Sequence, residues 1–146
     1  MSKTNLQPLI KTLIASTAYT TTVTSSAFAM PVNADTYEII FNATAVTGTS
    51  PTLDCVVQSS VDGGTTYINL PLRTTQITAA GQRRILFKQG LGDNEVALET
   101  TAASTGGTLA KNCIFDPKFM KIIFTVGGTN PSLTTVVYGC FLPKGA

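Results

Sequence analysis

The chain has 146 residues, enough for one domain with a single buried core, and its 10 basic and 8 acidic residues give a net charge of +2. It contains no His and no Trp, so histidine-dependent catalysis and metal sites that need imidazole are excluded. The charges form no basic stripe, which argues against nucleic-acid binding, and the hydrophobic content of 43% argues against disorder.

Residues 1–34 are predicted to form an N-terminal arm outside the main domain. Five apolar residues of this arm follow the spacing of one helix face, and they are Leu6, Leu9, Ile10, Leu13 and Ile14. They predict a short amphipathic helix over residues 6–16, followed by an extended segment. Such a helix is marginal alone in water, so its apolar face must dock either on this domain's own sheet or on a partner.

The first 29 residues can also be interpreted as a secretory signal, because Lys3 and Lys11 are basic and the Ala-Phe-Ala of residues 27–29 resembles a cleavage site. The stretch Ser16–Ser26 is dominated by Thr and Ser, which makes a poor apolar segment for a signal. We therefore expect no cleavage after residue 29. No segment has the roughly 18 apolar residues of a membrane span, so no membrane association is expected.

Residues 35–146 are predicted to form the β-domain, because the chain as a whole has 25 threonines, which favour strands, and apolar residues alternate with polar ones in this region. Asp62-Gly63-Gly64 predicts a turn, and Thr101–Asn112 predicts a loop. The predicted strands are Tyr37–Ala45, Leu53–Gln58, Thr65–Leu70, Arg84–Lys88, Glu95–Thr100, Phe119–Val126 and Leu133–Phe141. Seven to eight short strands at this spacing predict an all-β fold, an antiparallel β-sandwich of the jelly-roll or immunoglobulin-like type.

An internal repeat relates Ala45–Val57 to Thr125–Val137, with seven of thirteen positions identical after a shift of 80 residues. Both copies contain Gly-Thr-x-Pro, which predicts two strand–turn–strand units with the same loop at one end of the sandwich. Ser50 and Asn130, each before a proline, are predicted to be extended. The motif lacks the Lys and the following helix of a phosphate-binding loop.

The three cysteines, Cys55, Cys113 and Cys140, are odd in number and form no C-x-x-C pair. We expect them to be small buried hydrophobes in a reducing compartment, and the alternative is one bridge with one free thiol. A catalytic thiol is not expected, because the chain has no His to activate it.

The densest basic cluster is Arg83-Arg84, and it fits either a solvated strand edge or contact with an acidic partner. Asp93, Glu95 and Glu99 could bind Ca²⁺ through carboxylate oxygens, but they lack the dense spacing of a calcium loop. We therefore expect no metal, no cofactor and no catalytic residues.

Three stretches in order, TAVTGTSPTLDCVVQSSVDGGTTY, QITAAGQ and VGGTNPSLTTVVY, resemble small structural proteins encoded near tailed-phage capsid genes. The resemblance covers roughly residues 37–140, and the departures are the N-terminal arm and an insertion around Gly90–Lys111. It implies a non-enzymatic β-sandwich protein of the virion, a decoration or cement protein that binds and stabilises the assembled shell of major capsid protein. It also implies a place on the capsid surface, after assembly in the host cytoplasm.

Such a protein is expected to be a homo-oligomer, because a shell of repeated subunits favours many modest contacts. The expected partner contacts come from the predicted helix face and the basic cluster, and they are Leu6, Leu9, Ile10, Leu13, Ile14, Arg83 and Arg84. The alternatives are a tail, neck or head-fibre component, or a secreted β-sandwich adhesin that binds host glycans. The lack of Trp weakens the adhesin reading, because glycan sites present stacking aromatic rings.

Overall fold

The computed structural model describes residues 9–90 and 108–143, and within these ranges every regular element is a strand. The strands are β1 (Leu9–Tyr19), β2 (Val23–Thr24), β3 (Ala34–Ser60), β4 (Tyr67–Arg73), β5 (Gly81–Gln89), β6 (Thr108–Cys113) and β7 (Met120–Pro143). They form one mixed sheet, in which β5 and β6 are parallel and the other pairs are antiparallel. The all-β prediction is confirmed, but the prediction of a purely antiparallel arrangement is wrong, because β5 and β6 run parallel.

The sheet is built on a long ladder between β3, with 27 residues, and β7, with 24. Its order is β1-β7-β3-β5-β6, with β2 also on β7 and β4 also on β3. Half-sheet A comprises β1, β5, β6, residues 34–47 of β3 and residues 132–143 of β7. Half-sheet B comprises β2, β4, residues 52–60 of β3 and residues 120–127 of β7.

The repeated Gly-Thr-x-Pro segments are not turns, so the prediction of two strand–turn–strand units is wrong. They lie opposite each other in the middle of the ladder, where Thr49 pairs with Thr129 and the register shifts on both sides. A shift of 80 residues converts the pair Thr47–Ser132 into the pair Thr52–Gly127. The two copies of the repeat are therefore related by an approximate two-fold axis through the centre of the ladder.

The two segments meet so closely that each needs its glycine. A Cβ on Gly48 would lie 2.6 Å from the carbonyl oxygen of Asn130, and one on Gly128 would lie 2.6 Å from that of Ser50. Both glycines have positive φ, 112° and 107°. Ser50 and Asn130 have φ of 49°, so their predicted extended conformation is wrong. Pairing of the two long strands overrides the local preference of a residue before proline.

The N-terminal helix is also a wrong prediction, because Leu9–Tyr19 is β1 and pairs with β7 over its whole length. A short helix on its own gains little stability in water. An extended segment beside β7 is more stable, because it can pair with the backbone N–H and C=O groups of that strand. Register shifts on either side of Ile14 allow both Leu13 and Ile14 to pack against the core. Leu6 lies outside the described residues, and the boundary between residues 34 and 35 stays a prediction.

One further segment of chain runs along the outer edge of each long strand and pairs with it. Leu9–Phe28 follows β7 from Phe141 to Met120, and Tyr67–Phe87 follows β3 from Ser60 to Tyr37. The chain thus has two similar halves, each contributing a long central strand and an edge segment that pairs with the other half's strand. This arrangement extends the approximate symmetry from the central ladder to its flanks.

The remaining sequence predictions are confirmed in part. Strands were expected in the regions of β3, β4, β5 and β7, where they occur, although the segments expected around residues 119–126 and 133–141 are one strand. Asp62 accepts hydrogen bonds from the backbone N–H of Thr65 and Thr66, which closes the expected turn. The loop prediction is wrong for Thr108–Asn112, which pairs with β5, and Glu95–Thr100 lies outside the described residues.

The core is one cluster of buried side chains drawn from both half-sheets. Tyr19 at the end of β1 stacks on Phe124 of half-sheet B, with ring centroids 4.0 Å apart. In half-sheet A, Tyr37 contacts the rings of Phe87 and Phe141. Burial of these rings contributes most per residue to the hydrophobic stabilisation of so small a domain.

Gly128→Ala should lower the free energy of unfolding by about 3 kcal/mol, because it adds both an unfavourable φ and a clash with the Ser50 carbonyl. Gly63→Ala is the matched control, since Gly63 also has positive φ but no atom within 4 Å of its Cβ position. The control should cost about 1 kcal/mol. Urea titrations followed by circular dichroism measure both values, and equal costs would contradict the close approach.

Candidate functional site

Arg83, one of the expected partner contacts, lies inside the chain with 3% of its surface exposed. Its Nε donates to Thr75 Oγ1 at 2.9 Å, and its terminal nitrogens donate to the carbonyls of Gln82 at 3.1 Å and Gln76 at 3.3 Å. Burial lowers the pKa of the guanidinium. The side chain of Arg83 therefore connects β5 to the segment before it and has little surface to offer a partner.

Arg84 points to the opposite face of the sheet. Its guanidinium donates to Glu38 Oε1 at 3.1 Å, and the two side chains are 46% and 19% exposed. Neighbouring residues in a strand face opposite sides, so one arginine of the pair is buried and the other lies on the surface. Arg83 has the same parity as the buried Ile85 and Phe87, a signal that was present in the sequence.

The apolar residues of the expected helix face are divided between surface and core in β1. Leu9 is 53% exposed and Ile10 is 68% exposed. Leu13 and Ile14 pack against the core, and a Cβ on Gly139 would lie 3.0 Å from a methyl carbon of Leu13. Two of the five candidate residues are thus largely available to a partner.

The surface of half-sheet A that faces away from the core, here called the A face, carries a cluster of apolar side chains around an ion pair. Its central row crosses four strands as Ile10, Cys140, Glu38 and Leu86, and the next row contains Tyr138, Ile40 and Arg84. A shallow depression of about 280 Å³ lies beside this row, lined by residues that include Leu86, Cys140 and Leu142. The A face therefore has six apolar side chains around one ion pair, and polar side chains that include Thr12, Asn42 and the exposed Lys88 lie around them.

The corresponding surface of half-sheet B, the B face, carries polar side chains that bind one another. Gln58 donates to Asn69 at 2.8 Å, and Gln76 donates to Asp54 at 3.2 Å. Lys121 lies 4.2 Å from the centroid of the Tyr67 ring. Val56 and Ile123 lie among these polar contacts, half-buried. The B face is therefore suited to water, whereas the A face is suited to cover by another surface.

Two open edges of the sheet, those of β1 and β4, carry features that oppose strand addition. In β1, Lys11 lies at the edge and its Nζ donates to the carbonyl of Ala29 at 3.2 Å, and two register shifts interrupt the strand. In β4, Pro71 removes one backbone donor from the other edge. Lysine, bulges and proline at edges discourage pairing with other chains. A partner is more easily received on a face than along these edges.

The cysteines form no disulfide, and all three lie within the described residues. Cys55 and Cys113 are buried, as expected for small hydrophobes, and burial strongly raises the pKa of Cys55. Cys140 is half-buried on the A face. Burial and the neighbouring Glu38 carboxylate raise the pKa of Cys140 above its usual value, while Arg84 opposes this shift.

The described residues contain no group of three His, Cys, Asp or Glu side chains that could hold a metal ion. The acidic residues Asp93, Glu95 and Glu99 lie outside them. A cavity of about 470 Å³ between β1 and the segment ending at Phe28 is lined by Thr, Ser and apolar side chains without a charged group. The described part of the chain contains no helix with the length and apolar composition of a membrane span.

Arg83→Ala should lower the free energy of unfolding by about 3 kcal/mol, because it removes a buried side chain with its packing and leaves partly buried acceptors without their charged donor. Arg84→Ala is the matched control and should cost about 0.5 kcal/mol, the usual value of an exposed ion pair. Chemical unfolding of both variants at one pH measures the difference. Equal costs would contradict the opposite placement of the two arginines.

One thiol per chain should react with a disulfide reagent in dilute native protein, and all three should react after unfolding, since only Cys140 is accessible. Its reaction rate should rise with pH later than that of a free cysteine, because its raised pKa keeps the thiolate scarce near neutral pH. Glu38→Gln should lower that pKa and increase the rate at pH 7, as it removes the nearby negative charge. Reaction rates measured between about pH 6 and pH 10 test this; a slower Glu38→Gln variant would contradict it.

No protein-family model, no curated protein and no solved structure matches this chain. The similarity to tailed-phage structural proteins therefore remains a hypothesis carried by three stretches of sequence.

Proposed function

We propose that this chain is a non-enzymatic structural protein of a tailed-phage virion, a decoration or cement protein that binds the assembled shell of major capsid protein. The observation that carries the proposal is the position of the repeated segments. The stretches that resemble phage structural proteins, around Gly48–Pro51 and Gly128–Pro131, lie side by side in the middle of the ladder. Together they present one surface.

The surface of the paired segments is exposed, uncharged and rich in hydroxyl groups. Thr47, Thr49, Ser50, Thr129 and Asn130 are all exposed there. Ser50 and Asn130 keep positive φ values, which cost free energy in residues other than glycine, on the order of 1 kcal/mol each. Backbone strain persists where surrounding structure enforces it, and it is common at binding sites. The paired segments are the proposed capsid contact.

The two half-sheets are proposed to pack face to face as a β-sandwich, with the paired segments at the bend. The stacking of Tyr19 on Phe124 supports this, because the two rings belong to different half-sheets. Ser59 of half-sheet B accepts from the backbone N–H of Asp116, next to Phe115, whose ring contacts Tyr37 of half-sheet A. The segment at residues 115–116 thus joins both half-sheets.

The intact N-terminus is part of this proposal. Cleavage after residue 29 would remove β1 and β2, and with them the Tyr19 ring from the core. Phe28 pairs with Met120, and the backbone N–H of Met30 donates to the carbonyl of Pro117 at 2.6 Å. These contacts favour the virion role over a secreted adhesin whose first residues are removed.

A cement protein acts by linkage rather than by chemistry. If it binds only the assembled shell, binding stabilises that shell by mass action, and the effect grows with the number of filled sites. Each contact can be modest because the shell repeats the same site many times. An uncharged surface of Thr and Asn side chains supplies hydrogen bonds that depend little on salt concentration.

Full-length protein mixed with purified heads of the encoding phage should sediment with them at a fixed, saturable copy number. Thr49→Lys and Thr129→Lys, each tested alone, should weaken binding at least about tenfold, because each places a charge in the uncharged contact. Thr78→Lys is the matched control, as Thr78 is exposed but lies between β4 and β5. Circular dichroism should show that all three variants are folded.

Failure of the unmodified protein to bind heads would reject the capsid role and favour a tail component or an external ligand. Equal binding by all variants would retain the capsid role and reject the paired segments as the contact.

A further inference from the structure

We propose that the A face binds the A face of a second copy of this chain, in a two-fold symmetric dimer. This inference goes beyond the capsid role and does not depend on it, since it concerns the isolated protein. The surface involved is separate from the paired Gly-Thr-x-Pro segments.

The first observation is the difference between two faces that occupy equivalent positions in one fold. The polar groups of the B face are bound to each other, as with Gln58 and Asn69. The A face has six apolar side chains, and they are Ile10, Ile40, Leu86, Tyr138, Cys140 and Leu142. Of these, Ile10 is 68% exposed and Leu142 is 37% exposed. The two faces lie at related positions about the approximate axis, so the comparison shows a difference in side chains on two similar surfaces.

The second observation is the charge arrangement, which selects a copy of the same face as the occupant. A two-fold interface must complement itself, so each charge needs its opposite on the same face. Glu38 and Arg84 provide this near the middle of the A face, 3.1 Å apart, while the exposed Lys88 lies at the border of the face, where water still reaches it. In the dimer, Arg84 of each copy can bind Glu38 of the other as well as its own, while the apolar side chains around them exclude water.

The third observation is that two open edges, those of β1 and β4, carry features that oppose strand pairing, which favours the face as the route for self-association. Lys11 and the register shifts of β1 protect one edge, and Pro71 protects another. Association through the A face would stack two sheets about 10 Å apart, an ordinary arrangement for β-sheets.

The size of the A face sets the expected strength of the dimer. Four strands of about seven residues give a footprint of roughly 450 Å² per copy, below the roughly 800 Å² of a standard stable interface. The dimer should therefore be weak, with a dissociation constant on the order of 10 µM. On a capsid, where copies are held close together, such an affinity is enough to join neighbours.

The test is sedimentation velocity of the full chain from about 1 to about 200 µM, where a monomer–dimer equilibrium is expected. Ile10→Lys should weaken the dimer at least about tenfold, because it places an unpaired charge among apolar side chains. Ile68→Lys is the matched control, since Ile68 is 48% exposed on β4 of half-sheet B. It should leave the equilibrium unchanged, and thermal unfolding should show that both variants are folded.

A charge exchange tests the role of the ion pair. Arg84→Glu should abolish the dimer by placing like charges against Glu38 of the other copy, and Glu38→Arg combined with Arg84→Glu should restore it. A bismaleimide should join two copies through Cys140 in the unmodified protein and in Ile68→Lys. It should fail with Cys140→Ser and with Ile10→Lys.

A monomer at all concentrations would overturn the proposal. So would a dimer that Ile68→Lys weakens as much as Ile10→Lys, or one that the charge exchange fails to restore. Each of these results concerns the protein alone, so head binding could still succeed, and failure of head binding would leave the dimer intact.

Discussion

The fold depends on the pairing of two unusually long strands with each other. Every backbone N–H and C=O in β3 and β7 needs a partner, and the ladder between them satisfies one side of both strands at once. Where the ladder breaks register, Gly48 and Gly128 let the two backbones approach within a distance that any side chain would prevent. The outer sides of both strands then accept the edge segments and complete the sheet.

The sequence predicts strands well where burial alternates regularly, as from Tyr37 to Ala43, because a period of two residues is a local property. It fails for β1, where Leu9, Ile10, Leu13 and Ile14 fit a helix face as well as they fit a strand with register shifts. The strand forms because the free edge of β7, more than 100 residues away, offers backbone partners. No local sequence pattern contains that information.

The candidate site was predicted to a similar extent. Ile10 and Arg84 were both predicted as contacts, and both lie on the A face. Arg83 is buried instead, as its alternation with Ile85 would have indicated. The repeat was recognised from its residues, but its meaning was not, since a Gly-Thr-x-Pro segment suits a turn or a crossing equally. Only the pairing of Thr49 with Thr129 distinguishes the two.

The pairing of β1 with β7 also determines when this chain can fold. Leu9 pairs with Phe141, and Ala34 pairs with Pro143, so the first strands have no partner until β7 has been synthesised. Contacts this distant in sequence make folding slow, and they delay it until β7 has emerged from the ribosome. Until then the exposed strands are open to aggregation, and the lysine, the bulges and the proline at the edges act during synthesis as well as in the folded protein.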